Sequence, residues 1–298
     1  MSLSMRLTAA AMWLNARPIR RALGRPDYLD TLDPDRRAAD PPVHLRRRGR
    51  VTVTREGGQP VFRYEPARRM PGFELLYLPG GGLVNPLVPE HWWIIERLAR
   101  ATGAAVTVVC YPLAPERGAD ETLAAIDAQY ERLAARRGVS RLLVAGDSAG
   151  GAVAVGLALR ARRRPDALVL FSPWLDLALD NPAIGRRSRR DPSLRAPGLR
   201  AAAVAWVGER GLDDPQLNPA RMPLAALPPT LVFQGRRDIF FDDAVAFAAR
   251  AEAAGASLRL VTASAGFHVY VGAFWTPEAS AAFDLVGALS RDPGNVVT

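Results

Sequence analysis

The feature that most constrains the fold is the segment Gly146-Asp147-Ser148-Ala149-Gly150. The apolar run 142–145 precedes it, and a second apolar segment with helical character follows it. This order predicts a strand, a sharp turn and a helix, with Ser148 at the tip of the turn, where a nucleophilic serine is exposed. The two glycines leave room for the tight backbone. We therefore interpret Ser148 as a candidate nucleophile.

The rest of the chain alternates between apolar runs typical of strands and longer helical patterns. This alternation predicts an α/β fold in which a mostly parallel, twisted sheet is covered by helices on both faces. Two short alternating segments, 50–55 and 61–64, predict an antiparallel hairpin before the parallel strands. Sites in such sheets form at the carboxyl ends of strands. The candidate functional segments all follow predicted strands. They are the glycine run 80–82, Ser148, Asp238 and the loop 265–268.

Two stretches interrupt this rhythm. Residues 1–42 are rich in Arg, Asp and Pro and contain an apolar helical patch at 9–14, which predicts a helical arm over the active-site side or a loosely attached tail. Residues 43–298 form the predicted catalytic domain. Within it, 177–222 is polar apart from an apolar helical segment at 201–207 and is interpreted as a cap-like insertion.

Composition excludes several classes of protein. The formal charge is +9 and every basic residue is Arg, but the arginine runs are dispersed, which favours a solvated surface over a nucleic-acid site. No apolar run reaches the roughly 18 residues that a membrane span requires. The run 7–14 is too short and lacks a cleavage pattern, so we expect no stable membrane insertion and a cytoplasmic location. The single Cys110 excludes an internal disulfide and a cysteine metal cluster, and it is interpreted as buried.

A serine nucleophile requires a general base, which is most often histidine. In hydrolases with this serine turn the chain order is Ser, acid, His, and His268 is the only histidine after Ser148. Asp238 directly follows a predicted strand and is the candidate acid that orients the imidazole. Asp242 or Asp243 is the alternative, although both suit the N-terminus of the next predicted helix.

The oxyanion of the reaction requires preorganised backbone N–H donors. Ala149 follows the nucleophile, and the glycine run 80–82 follows a buried strand, so both are candidate donors unless that run is a flexible surface loop. The other two histidines have weaker interpretations. His44 is expected on the surface at the start of the first strand, and His91 either lines the pocket or serves as a polar helix start.

These motifs together resemble the hormone-sensitive-lipase-like branch of α/β-hydrolase esterases. The nucleophile motif extends to Gly151, the segment Tyr111-Pro112-Leu113-Ala114-Pro115-Glu116 resembles the family's Tyr-Arg-Leu-Ala-Pro-Glu, and Ser172-Pro173-Trp174-Leu175-Asp176 resembles its segment after the sixth strand. The resemblance implies an α/β-hydrolase fold with an eight-stranded sheet and a helical cap. It implies a triad of Ser148, Asp238 and His268, oxyanion donors at Gly81, Gly82 and Ala149, and no cofactor or metal.

One departure from the family pattern is Pro79, which stands where the family has a histidine before its three glycines; a smaller one is Pro112 in place of Arg. Proline offers no side-chain hydrogen bond but fixes φ, so loop position and substrate preference are in question while the reaction class is not.

The leading hypothesis is an esterase for short- to medium-chain acyl esters. The alternatives are a dedicated deacetylase of an acetylated sterol or small metabolite and a non-catalytic small-molecule receptor on the same scaffold. A homodimer through the last strand, near 257–261, is possible on the same resemblance. Six aromatic residues are candidates to line the pocket: Trp92, Trp93, Trp206, Phe240, Phe241 and Phe267.

Overall fold

The protein is built around one sheet of eight strands, here described over residues 2–296 from a computed structural model. The order of the strands across the sheet is β1-β2-β4-β3-β5-β6-β7-β8. Their bounds are β1 Gly49–Glu56, β2 Gln59–Pro66, β3 Phe73–Leu78, β4 Ala105–Val109, β5 Arg141–Asp147, β6 Ala167–Phe171, β7 Thr230–Gly235 and β8 Leu258–Ala263.

Helices connect the strands and extend from both ends of the domain. Within the described part of the chain they are α1 Leu3–Asn15, α2 Arg17–Leu23, α3 Val43–Arg48, α4 His91–Thr102, α5 Ala119–Ala134, α6 Ser148–Arg160, α7 Ile184–Arg190, α8 Ala196–Val207, α9 Phe241–Ala253, α10 Pro277–Arg291 and α11 Pro293–Val296. From β3 onwards strands and helices alternate as predicted, except that α7 and α11 were not predicted.

The sheet is mostly parallel, and its direction of growth reverses next to β3. β1 pairs antiparallel with β2, and β2 pairs antiparallel with β4, whereas every other neighbouring pair is parallel. The chain passes from β3 to β4 on one side and then returns to β5 on the other. Ligand sites in open α/β sheets form outside the carboxyl ends of strands at such a switch point. The predicted α/β-hydrolase architecture with eight strands is confirmed.

Side chains of successive strand residues point to opposite faces of the sheet and divide the core in two. In β3, Leu76 and Leu78 belong to one apolar cluster, whereas Leu75 and Tyr77 belong to the other. Both faces are therefore covered, as parallel sheets require.

The arm at the start of the chain packs onto the domain through its helices. Met5 and Ala9 of α1 are fully buried. A Cβ added to Gly198 of α8 would lie 2.7 Å from the Cα of Leu23 in α2, so these two helices are in close contact. The segment 177–222 contains two helices, α7 and α8, where a single one was predicted. The division into arm, catalytic domain and insertion stays a prediction.

Two minor interpretations have different outcomes. Cys110 is buried, as expected, and burial raises the pKa of its thiol to about 12. The placement of His44 at the first strand is wrong, because it lies in α3, where its Nε2 is 3.2 Å from Oε2 of Glu96.

No helix between residues 2 and 296 combines the length and apolarity needed to cross a bilayer. The predicted cytoplasmic location stays a prediction.

Candidate active site

Ser148 lies at the junction of β5 and α6 with a backbone φ of 51°. Non-glycine residues rarely adopt this left-handed conformation, and strain of this kind concentrates at functional sites. Steric limits hold the turn in place. A Cβ at Gly150 would lie 2.0 Å from the carbonyl oxygen of Leu78, and one at Gly146 would lie 2.5 Å from that of Gly150. The sequence therefore brings the serine turn directly against the end of β3.

His268 and Asp238 form a hydrogen-bonded pair beyond β7 and β8. The distance between His268 Nδ1 and Asp238 Oδ2 is 2.9 Å, and Asp238 is fully buried. Burial opposes the imidazolium, but the charge and hydrogen bond of Asp238, together with the charges of Asp191 and Asp147, outweigh it, so the pKa of His268 lies above its usual value. The amide of Val269 donates to Ser172 Oγ at 2.9 Å, which ties the histidine loop to the end of β6.

The two alternative acids have other partners. Both lie in the first turn of α9, as expected, but neither caps it. Asp242 accepts two hydrogen bonds of 2.7 Å from Arg187, and Asp243 accepts one of 2.8 Å from Asn181. Burial raises the pKa of Asp243 to about 7. Of the three candidates, the geometry pairs Asp238 with the histidine.

The glycine run after β3 faces the serine turn. The amide of Gly80 donates to Oδ1 of Asp147 at 2.9 Å, so that N–H is already used. Gly81 and Gly82 have φ of 133° and 65°, and a Cβ at Gly81 would lie 2.1 Å from the carbonyl oxygen of Asn85. Only glycine adopts this backbone readily.

Ala149 is the third predicted oxyanion donor. It lies in the first turn of α6, where helix amides have no partner within the helix and the dipole is positive.

Pro79 is held by its carbonyl rather than by a side chain. Tyr111 Oη donates to the carbonyl oxygen of Pro79 at 2.5 Å, and Tyr77 Oη donates to Asp147 Oδ1 at 2.5 Å. Together with the Gly80 amide, these bonds fix the loop between β3, the end of β4 and the serine turn. This role of Tyr111 and Asp147 was not predicted from the sequence, although both lie inside the motifs that carried the family resemblance.

The sequence left the role of His91 open between a pocket wall and a polar helix start. It lines the same cavity as Ser148. Its Nδ1 accepts from the amide of Val88 at 2.9 Å, and its Nε2 lies 3.4 Å from Asp147 Oδ2. Burial opposes its charge, but Asp147 raises the pKa of His91 above its usual value. His91 thus combines both proposed interpretations, a helix start and a pocket wall.

Asp191 is a buried carboxylate that no sequence motif indicated. Its Oδ2 accepts from the amide of Ile239, next to the candidate acid, at 2.8 Å, while its Oδ1 accepts from the amides of Ser193 and Leu194 at 2.7 and 2.8 Å. Burial and the neighbouring charge of Asp238 raise the pKa of Asp191. Because Ser193 and Leu194 line the cavity, Asp191 joins the cavity wall to the loop that carries Asp238.

A cavity of about 400 Å³ contains Ser148, His268, Gly81 and Gly82 in its walls. The remaining wall is mostly apolar and comes from the arm, the segment 84–94, the 177–222 segment and the loop after β8. Its side chains include Met12, Ile19, Leu23, Leu194 and Leu199. Of the six aromatic residues considered from the sequence, Trp93 and Phe267 line this cavity. Trp92, Trp206 and Phe240 are buried in the core, and Phe241 packs under the guanidinium groups of Arg187 and Arg236.

Comparison with known proteins places the chain in a family. A family model described as the alpha/beta hydrolase fold matches residues 75–272, which is more than half of the chain. The chain belongs to the alpha/beta hydrolase fold family. An acetyl-hydrolase of Streptomyces hygroscopicus is 33% identical over 76% of this chain and 77% of its own, and an esterase of Acinetobacter venetianus is 30% identical over 70% and 71%.

A solved structure extends the comparison to nearly the full length of the chain. An esterase from the bacterial hormone-sensitive lipase family superposes with a TM-score of 0.79 at 25% identity, over 98% of this chain and 99% of that one. The predicted relationship to this branch and the prediction of an ester-hydrolysing enzyme are confirmed.

Proposed function

We propose that this alpha/beta hydrolase is a serine carboxylesterase for short- to medium-chain acyl esters, with Ser148, Asp238 and His268 as its triad. The observation that carries the proposal is the pairing of His268 with Asp238 in the wall of the cavity that also contains the strained Ser148. Asp238 accepts a hydrogen bond from Nδ1–H of His268, which leaves the unprotonated Nε2 as the general base.

The reaction follows from these roles. His268 removes the proton of Ser148 Oγ as that oxygen attacks the ester carbonyl, and the tetrahedral oxyanion is held by the amides of Gly81, Gly82 and Ala149. The collapse of this intermediate breaks the bond to the alcohol, which leaves with the proton from His268. Water activated by the same histidine then releases the acid and regenerates the serine.

The apolar walls of the cavity support an acyl group longer than acetyl, since Leu23, Leu199 and Met12 offer it no hydrogen bonds but a large apolar surface. The test is a series of p-nitrophenyl esters from acetate to palmitate, with Ser148→Ala as the background. We expect kcat/KM to peak between butyrate and octanoate and to fall by at least about 10⁴-fold in the variant. Activity of Ser148→Ala at the wild-type level would contradict the proposal.

A deacetylase remains the second candidate because a relative of 33% identity is named an acetyl-hydrolase. The same ester series separates the two. A sharp preference for acetate over butyrate would favour the deacetylase.

We also propose a homodimer through β8, which is the last strand of the sheet and pairs, within the described chain, with β7 alone. Its outer edge offers backbone groups for pairing with a second copy. Light scattering after size exclusion is expected to give the mass of two chains for the wild type and of one chain for Leu260→Pro. A wild type with the mass of one chain would contradict this proposal.

A further inference from the structure

The outer face of α1 is apolar although it faces solvent. Leu3, Leu7 and Leu14 are 69%, 62% and 64% exposed. They follow one another at spacings of four and seven residues and therefore share one side of the helix. The opposite side carries Met5 and Ala9, which are fully buried in the domain. A surface helix normally has a polar outer face, so this second apolar stripe calls for a partner.

The segment that bears the stripe is strongly basic. Residues 3–26 include five arginines and no Asp or Glu. Arg20 is occupied by the carbonyl oxygens of Trp13 and Pro192, and Arg25 pairs with Asp27. Arg6, Arg17 and Arg21 are exposed, and no carboxylate of the described chain pairs with them.

The apolar surface continues from α1 to the mouth of the cavity. Thr8 of α1 and Ile19 of α2 line the cavity, and Ile19 is also 53% exposed. Trp275 is 54% exposed, donates from Nε1 to Thr8 Oγ1 at 2.9 Å and packs edge-on against Phe274 at 5.1 Å. Exposed aromatic rings with a polar atom are typical of side chains at a lipid–water boundary. The rim carries one exposed carboxylate, Glu90.

An anionic lipid surface fits this combination better than a second copy of the chain does. Pairing the stripe with itself would bring two basic segments together, whereas anionic phospholipids offer negative headgroups for the arginines and acyl chains for the leucines. We propose that this face, formed by Leu3, Leu7 and Leu14, the arginines of 3–26 and Trp275, docks on anionic phospholipid membranes. Docking would place the cavity mouth at the lipid. The proposal does not depend on the chemistry of Ser148.

The test is cosedimentation of the full chain with phosphatidylcholine vesicles that contain or lack phosphatidylglycerol. We expect binding to the anionic vesicles, binding at least about tenfold weaker to neutral ones, and release as salt screens the charges. Two triple variants are expected to lose at least about tenfold in affinity: Leu3→Gln/Leu7→Gln/Leu14→Gln and Arg6→Gln/Arg17→Gln/Arg21→Gln. Neither set lines the cavity, so hydrolysis of a soluble aryl ester should stay within about twofold of wild type.

Two matched controls carry the same kinds of substitution elsewhere on the surface. Met70→Gln, Val53→Gln and Val245→Gln remove exposed apolar side chains. Arg137→Gln, Arg162→Gln and Arg164→Gln remove exposed charges close before β5 and β6, at the amino ends of these strands and therefore away from the cavity. Both controls should bind anionic vesicles as the wild type does.

Three outcomes would overturn the proposal. They are no binding of the wild type to anionic vesicles, equal loss in test and control variants, and a dimer that the leucine variant abolishes without any vesicle binding. Ser148→Ala should bind vesicles as the wild type does, so an error in the proposed reaction would be visible separately.

Discussion

At the scale of single residues, Asp147 helps to hold the loop in which Pro79 replaces the family's histidine. Pro79 lacks the side-chain hydrogen bonds of a histidine, yet its loop is fixed by Tyr111 on the Pro79 carbonyl and by Asp147 on the Gly80 amide. Tyr77 and His91 surround the same carboxylate. The loop is therefore preorganised by groups that approach it from neighbouring strands.

A change at Tyr111 tests whether this support matters for the reaction. Tyr111→Phe removes the hydrogen bond to Pro79 and leaves a buried carbonyl without it, so unfolding free energy should fall by about 1–2 kcal/mol. We also expect kcat to fall about tenfold with little change in KM, because oxyanion donors act in the transition state.

The matched control for Tyr111 is Tyr130→Phe. Tyr130 Oη donates to the carbonyl oxygen of Arg163 at 2.7 Å, before β6 and away from the cavity. The control should lose similar stability in urea unfolding but keep its kcat. If both variants keep kcat, the loop does not require Tyr111.

The pair of His268 and Asp238 predicts the pH dependence. The pKa of His268 is raised above 6.5 by Asp238 in spite of burial, and the base must be neutral. The acid limb of kcat/KM should therefore have its midpoint above 6.5. The same group stabilises the fold most fully below its unfolded pKa, and that contribution is lost as pH rises through the folded pKa.

Two variants separate the effect of Asp238 on the pKa of His268 from the effect of other nearby carboxylates. Asp238→Asn should move the acid limb to lower pH and reduce kcat by about 10⁴-fold. Asp242→Asn should leave the limb in place, because Asp242 pairs with Arg187. A wild-type midpoint at or below 6.5 would disagree with the structure.

At the scale of elements, the unit of strand, turn and helix around Ser148 could be predicted almost completely. Its glycines permit the turn, and the apolar runs on either side identify β5 and α6. Asp238 and His268 could be proposed because they follow strands, whose carboxyl ends converge. The role of Asp191 could not be predicted, because it depends on the packing of the 177–222 segment against the loop after β7. A periodic sequence pattern does not indicate such a contact.

The serine turn offers a test of close packing between elements. Gly150→Ala places a Cβ 2.0 Å from the Leu78 carbonyl oxygen, so α6 must move away from β3. We expect a loss of at least about 2 kcal/mol in unfolding free energy, with loss of activity.

Gly185→Ala is the matched control for this packing test. Gly185 lies in helix α7, and an added Cβ there would meet no atom of the described chain within 4 Å beyond its chain neighbours and the backbone of its own helix. Stability should stay the same or rise by up to about 1 kcal/mol. Equal stability of the two variants would show that the turn tolerates the methyl group.

At the scale of the whole molecule, the sheet follows from hydrophobic patterning, but the cavity does not. Its walls combine the arm, the segment 84–94, the 177–222 segment and the loop after β8, so the lining residues are decided by long-range packing. For the same reason the sequence indicated an apolar helix near residues 9–14 but not the exposed stripe on α1. That stripe becomes visible only when the buried face is known.

The role of Ser148 as the nucleophile is tested most directly by covalent labelling with diethyl p-nitrophenyl phosphate, followed by peptide mapping. We expect a diethylphosphoryl group on Ser148 Oγ, with activity lost in step with labelling. Ser193→Ala, which changes another serine of the cavity wall, should still be labelled on Ser148, and Ser148→Ala should remain unlabelled. Labelling of a different residue, or full activity in a chain labelled on Ser148, would contradict the assignment of Ser148 as the nucleophile.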